Sequence, residues 1–200
     1  MSAEPIPESP VPWQPDPIRQ RRADYTLEDL LNLPPDAPRV ELVDGKMAVV
    51  PSPTEDHQSI TALVWTWLRA HAPQQYQAAL AVGVAITPRD SREPDVLLRY
   101  AGGGGKRHFF TPDQVLLAVE VVSPGTRRTD RLVKPVEYAT AGIPYYWRVE
   151  QDPVHVYAYR LADRPGPSGN REYELITDSA ELLEIEVPFP IKLSIADITP

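Results

Sequence analysis

The chain has 200 residues, 42% of them hydrophobic and 24% charged, which is enough for one domain with a real core. It contains no cysteine, which excludes disulfides and thiolate metal sites, and no apolar run long enough to cross a bilayer. The net charge of −8 argues against a generic nucleic-acid binder, because phosphate neutralisation supplies most of that affinity. Any such contact needs a local basic patch, a bound cation or a partner.

Residues 1–23 read as a disordered, proline-rich tail, because Pro5, Pro7, Pro10, Pro12, Pro15 and Pro17 prevent regular structure. Trp13 is the one residue of the tail suited to docking. The N-terminus lacks a signal-peptide pattern, so the expectation is a soluble cytoplasmic protein with no membrane partner. Residues 24–200 read as a single domain.

Thr26-Leu27-Glu28-Asp29 resembles a capped helix start, and Leu27, Leu30 and Leu31 give a short amphipathic helix ended by Pro34-Pro35. Val40–Val43, Asp44-Gly45 and Lys46–Val50 form a strong hairpin signal. Ser52-Pro53-Thr54-Glu55 reads as a capping box with proline at the first helical position. The helix after it places Ile60, Leu63, Val64, Trp67 and Leu68 on one face and ends near Ala72-Pro73.

A strand is expected from Ala79 to Thr87, and another beside Asp95. Gly102 to Gly105, followed by Lys106, Arg107 and His108, reads as a flexible loop; no lysine-plus-hydroxyl pair follows with P-loop spacing. Then come the strand bearing Glu120, a helix from about Arg131 to Ala141, and strands at Tyr145–Val149, Val154–Tyr159, Tyr173–Thr177 and Leu182–Val187. The fold class is mixed α/β or α+β around one central sheet. Tyr145-Tyr146-Trp147 reads as core strand rather than interface.

Two acids stand against apolar, β-branched runs: Asp95 in Pro94-Asp95-Val96-Leu97-Leu98, and Glu120 in Leu116-Leu117-Ala118-Val119-Glu120-Val121-Val122. A charge beside a buried strand is costly unless compensated, and a metal ion is a common compensation. The blander readings are a turn aspartate fixed by Pro94 and a strand-end glutamate capped by backbone amides. Lys134 follows on a helix; two carboxylates and a lysine are the minimal kit for metal-assisted phosphodiester cleavage. Spacing alone serves a surface i,i+4 pair with Asp130 equally well, and puts Tyr138 one turn later on the same face.

Glu41, in a hairpin strand, suits either a site or a half-exposed strand. His57 aligns with Ile60 and Val64 and reads as a hydrogen-bonded core histidine ahead of a metal ligand. Arg127, Arg128 and Arg131 cluster after the Glu120 strand, where they contact phosphates or are simply solvated. No nucleophile elbow and no zinc-spaced histidine pair is present.

Taken in order, Tyr25-Thr26-Leu27-Glu28-Asp29, Val40-Glu41-Leu42-Val43-Asp44-Gly45, Pro51-Ser52-Pro53 with His57, Pro94-Asp95, Val119-Glu120-Val121-Val122-Ser123-Pro124 and Tyr138-Ala139-Thr140-Ala141-Gly142-Ile143-Pro144-Tyr145-Tyr146-Trp147 resemble the Uma-two family, a restriction-endonuclease branch of the PD-(D/E)xK nuclease-like superfamily. The resemblance covers about residues 25–198 and implies a restriction-endonuclease-like core, a central mixed β-sheet flanked by helices.

It further implies a Mg²⁺- or Mn²⁺-dependent endodeoxyribonuclease. Asp95 matches the first acid of the superfamily motif, Glu120 the second, and Glu41 an additional acid. Val122 stands where the motif lysine belongs, and Lys134 matches the lysine relocated to the following helix. Asp95, Glu120 and the Val121 carbonyl are the implied metal ligands. DNA is the implied partner, and a homodimer is the assembly expected if both strands are cut. The competing expectation is a nuclease-fold protein that binds nucleic acid or protein without cutting.

Overall fold

The computed structural model describes residues 24–102, 108–166 and 169–200. The expected tail, the stretch from Gly103 to Arg107, and residues 167 and 168 lie outside the described residues. The chain opens with α1 (Leu27–Leu31), whose Thr26 and Asp29 close a capping box. The hairpin β1 (Val40–Val43) and β2 (Lys46–Val49) follows, turning through Asp44 and Gly45 at φ 50° and 70°, the left-handed pair a type I′ turn demands. Next come α2 (Glu55–His71), β3 (Tyr76–Leu80), β4 (Gly83–Thr87), β5 (Asp90–Arg92), β6 (Val96–Tyr100), β7 (Phe109–Phe110) and β8 (Val115–Val121). After β8 a π-helical turn (Thr129–Val133) leads into α3 (Lys134–Ala141). The chain ends with β9 (Tyr145–Gln151), β10 (Val154–Leu161), β11 (Tyr173–Ser179), β12 (Leu182–Ile185) and β13 (Ile191–Ser194).

The mixed α+β architecture around a central mixed sheet is as expected, and a second large sheet accompanies it. A six-stranded sheet runs β11-β10-β9-β8-β6-β3, and a separate five-stranded sheet runs β2-β1-β5-β4-β7. The expected strand over Ala79–Thr87 is split between them. Ala81 takes φ 45°, so the chain breaks after β3 and re-enters the other sheet as β4. In the larger sheet the β8–β9 pair is parallel, with the π turn and α3 as its crossover, and the other pairs are antiparallel.

Every residue of β8 is buried, because both faces of the larger sheet are covered. On one face Leu117, Val119 and Val121 pack with Ile60, Val64, Trp67 and Leu68 of α2 and with Leu183, Ile191 and Leu193 of the β12–β13 hairpin. On the other, Ala118 meets Tyr138 of α3, Tyr146 of β9 and Val84 of β4. Full burial of each such aliphatic or aromatic side chain stabilises by roughly 1.5–3 kcal/mol. Strand alternation therefore sends Glu120 to the α3 face, among groups that must answer its charge.

Two helix starts differ from expectation. Thr54, not Ser52, caps α2: its hydroxyl accepts from the His57 amide at 3.3 Å. Pro51, Ser52 and Pro53 instead lie outside the helix, along a cavity wall. The expected helix over Arg131–Ala141 begins as the wide turn, closed by the Lys134 amide on the Thr129 carbonyl. Pro135 has no N–H for an α-bond, and the extra residue of the wide turn absorbs the misfit.

Candidate active site

The C-terminal end of β8 is where the two sheets, α2 and α3 meet. There a cavity of about 610 Å³ is lined by Glu41, His57, Arg92, Asp95, Glu120, Val121, Asp130 and Lys134, with Val43, Ala48, Val49 and the Pro51–Pro53 segment as its apolar wall. Each charged group arrives on a different element. Glu41 comes from β1, His57 from the first turn of α2, Asp95 from the residue before β6, Glu120 from β8, Asp130 from the π turn and Lys134 from the first position of α3.

Asp95 is held by two direct contacts. Its Oδ2 accepts from the Val121 amide at 2.8 Å and lies 3.2 Å from His57 Nε2. Burial works to raise the Asp95 carboxyl, but the hydrogen bond and charge of His57, the Lys134 ammonium and the Val121 amide outweigh it and hold the group below its ordinary value. His57 mirrors this: burial disfavours its charged form, yet Asp95, the Val121 carbonyl and Asp130 hold it above 6.5. The core-histidine reading is thus met by a hydrogen bond, and the bond is to a site residue.

Glu120 is 1% exposed and both its oxygens are engaged. Tyr138 donates its hydroxyl to Oε1 at 2.7 Å, and Lys134 donates to Oε2 at 2.8 Å. Burial pushes Glu120 well above the usual carboxylate range; Asp95 and Asp130 add to that, and Lys134 opposes it. Lys134 is itself 7% exposed, with its ammonium 3.1 Å from Asp130 Oδ1 and 3.9 Å from Glu41 Oε1. Burial alone would lower it; the carboxylates Glu120, Glu41 and Asp130 overcome that and hold it protonated. The pair of Lys134 with Asp130 exists at the i,i+4 spacing but is buried, not a surface pair, because the π turn rotates both inward.

Glu41 accepts from Arg92 Nη1 at 3.0 Å and from the Glu93 amide at 3.0 Å. Arg92, 6% exposed, also grips Glu137 of α3 through Nε and Nη2 at 2.6 and 2.7 Å. Sequence reasoning missed Arg92 and Asp130. Asp90-Ser91-Arg92 is a short polar stretch without an apolar pattern, and only the fold makes it a strand whose Arg92 lines the cavity. Arg127 and Arg128 are exposed beside the cavity-lining Ser123–Thr126 loop, whereas Arg131 is committed to Glu150 by a two-pronged contact at 2.9 and 2.8 Å.

Among the described residues no three His, Asp or Glu side chains converge as a ready-made metal cage. The donor chemistry still fits Mg²⁺ or Mn²⁺, which take one or two carboxylates and complete their shells with water and phosphate oxygens. Four buried carboxylates, Glu41, Asp95, Glu120 and Asp130, face Lys134, Arg92 and the His57 ring. Burial first, and the neighbouring carboxylates after it, push Glu120 and Asp130 upward, and a divalent cation would offset the negative charge gathered here.

No helix among the described residues is long and apolar enough to cross a membrane. No curated protein matches the sequence. Among solved structures, the chain is similar to one from Anabaena variabilis ATCC 29413 titled as a "putative nuclease belonging to DUF820": TM-score 0.65 and 22% identity, over 86% of this chain and 96% of that one. That likeness shows a shared fold. A family profile described as "Putative restriction endonuclease" matches residues 27–197, and with that extent of agreement the chain belongs to the Uma2 family.

Proposed function

We propose that this protein is a divalent-metal-dependent nuclease that hydrolyses phosphodiester bonds in DNA. The observation that supports it most is the meeting of Asp95, Glu120 and Lys134 in one cavity although they come from three different elements. Asp95, Glu120 and the Val121 carbonyl would hold Mg²⁺ or Mn²⁺, which when bound polarises a phosphoryl oxygen and makes a bound water acidic.

The chain's own groups do the rest. His57 and the Val121 amide fix the Asp95 carboxylate. Tyr138 orients Glu120. Lys134 supplies a positive charge, preorganised by Glu120 and Asp130, toward a phosphate entering the cavity. Arg127 and Arg128, exposed beside the cavity-lining loop, would contact flanking phosphates.

A second reading, a nuclease-fold binding module that does not cut, is favoured by one observation: both Glu120 oxygens are already occupied by Tyr138 and Lys134. Plasmid nicking with Mg²⁺ and with Mn²⁺, run beside Glu120→Ala and Asp95→Ala, separates the two. Metal-dependent nicking by the wild type that both variants lose supports the nuclease; equal nicking by folded Asp95→Ala protein removes it.

A further inference from the structure

Glu41 has both oxygens committed, one to Arg92 and one to the Glu93 amide, so in this arrangement it is not a free ligand. Its partner Arg92 is the more informative residue. Arg92 sits in β5 of the five-stranded sheet, yet its strongest contact is the fork onto Glu137 of α3. Glu137 lies three residues after Lys134, on the turn that delivers the ammonium to Glu120. The chain Glu41–Arg92–Glu137 therefore braces one sheet against the helix that carries the lysine, beside the cavity that Glu41 and Arg92 line.

Resting on the nuclease reading above, we infer that Glu41, Arg92 and Glu137 form a positioning triad that sets the place of Lys134, with Glu41 acting through Arg92 rather than as a metal ligand. The geometry requires arginine. A planar fork can hold Glu137 through two nitrogens while a third reaches Glu41; a lysine offers a single point charge and must give up one partner. The buried guanidinium is answered by two carboxylates, and the negative charge left over faces the Lys134 ammonium, 3.9 Å from Glu41 Oε1.

The test compares Arg92→Lys, Glu137→Gln and Glu41→Gln with the wild type. Cleavage kinetics are measured against DNA and against Mg²⁺ concentration, and the Lys134 side-chain ¹⁵Nζ signal is followed by NMR. Arg92→Lys keeps the charge, and Glu137 is half-buried, so both variants are expected to fold. The expected result is a fall in kcat of about 10–100-fold in all three, with KM and the Mg²⁺ midpoint changed by no more than about twofold, and a displaced Lys134 signal.

Wild-type kcat in Arg92→Lys with an unmoved Lys134 signal overturns the triad. So does a weakened Mg²⁺ midpoint in Glu41→Gln alone, which makes Glu41 a ligand. If the wild type cuts nothing, the nuclease reading fails by itself. The NMR arm then decides the triad: a moved Lys134 signal upholds it, and an unmoved one removes it.

Discussion

Lys134 Nζ lies 2.8 Å from Glu120 Oε2, joining the first residue of α3 to the penultimate residue of β8, and each is nearly sealed from water. Neither charge is tolerable there alone. Burial penalises both, and each is the other's principal compensation, so the pair is a conditional one in which removal of either partner is felt by the other.

Lys134→Met is expected to destabilise the protein by about 3–5 kcal/mol at neutral pH, because it leaves Glu120, Asp130 and Asp95 clustered without the ammonium. Urea unfolding measures this. Adding Glu120→Gln to the same protein should recover a large part of the loss, since the second change removes the uncompensated carboxylate. A double variant as unstable as the sum of the singles contradicts the coupling.

Tyr138→Phe removes a 2.7 Å donor from Glu120 without altering the packing of the ring against Tyr146. A hydrogen bond to a charged group contributes about 1.5–3 kcal/mol, so a loss of that size is expected in denaturant unfolding. The cavity groups stay in place, and cleavage should fall by much less than in Lys134→Met.

His57 yields a pH dependence with a definite sign in metal-free protein. Its folded value lies above 6.5, so its contribution to stability is fully present below 6.5 and is lost as pH rises through the folded value. Asp95, held below its ordinary 3.8, contributes above that value and loses its contribution as the solution is acidified. The stability difference between wild type and His57→Gln, measured in chelator from about pH 5 to about pH 9, should therefore shrink toward the alkaline end. A difference that grows with pH contradicts the assignment.

Mg²⁺ or Mn²⁺ should raise the thermal stability of the wild type, by about 2.7 kcal/mol at a hundredfold excess over Kd. Asp95→Asn and Glu120→Gln should abolish the rise, while Arg127→Ala should leave it intact. Differential scanning fluorimetry against metal concentration reports all four proteins together.

Much of the site is visible in the chain itself because acids in apolar runs are conspicuous. Glu120 interrupts seven consecutive core positions, and no surface strand needs such a run around a carboxylate. The Asp44-Gly45 hairpin and the apolar face of α2 were legible for the same kind of reason: local chemistry decides them. Lys134 was not, since its inward direction depends on the turn that Pro135 forces and on Asp130 turning in with it. Arg92 was still less so. Three polar residues flanked by Pro88 and Pro94 carry no periodic signal, and only their pairing with Leu42 and Val84 makes them a strand. The division into two sheets is not legible, because it depends on the long-range pairing of β4 with β5 and β7 and on the backbone turn at Ala81, none of which leaves a periodic signal.

The wide turn at Thr129–Val133 makes the register of α3 a matter of counting. Each residue advances a helix by about 100°, so deleting a single residue there would let ordinary α-geometry resume and bring every later side chain to β8 out of phase. No contact need be weakened for the lysine to miss its mark. In this fold the reach of Lys134 is encoded in chain length as much as in charge, and an insertion or deletion of one residue between Thr126 and Lys134 is a more severe change than most substitutions nearby.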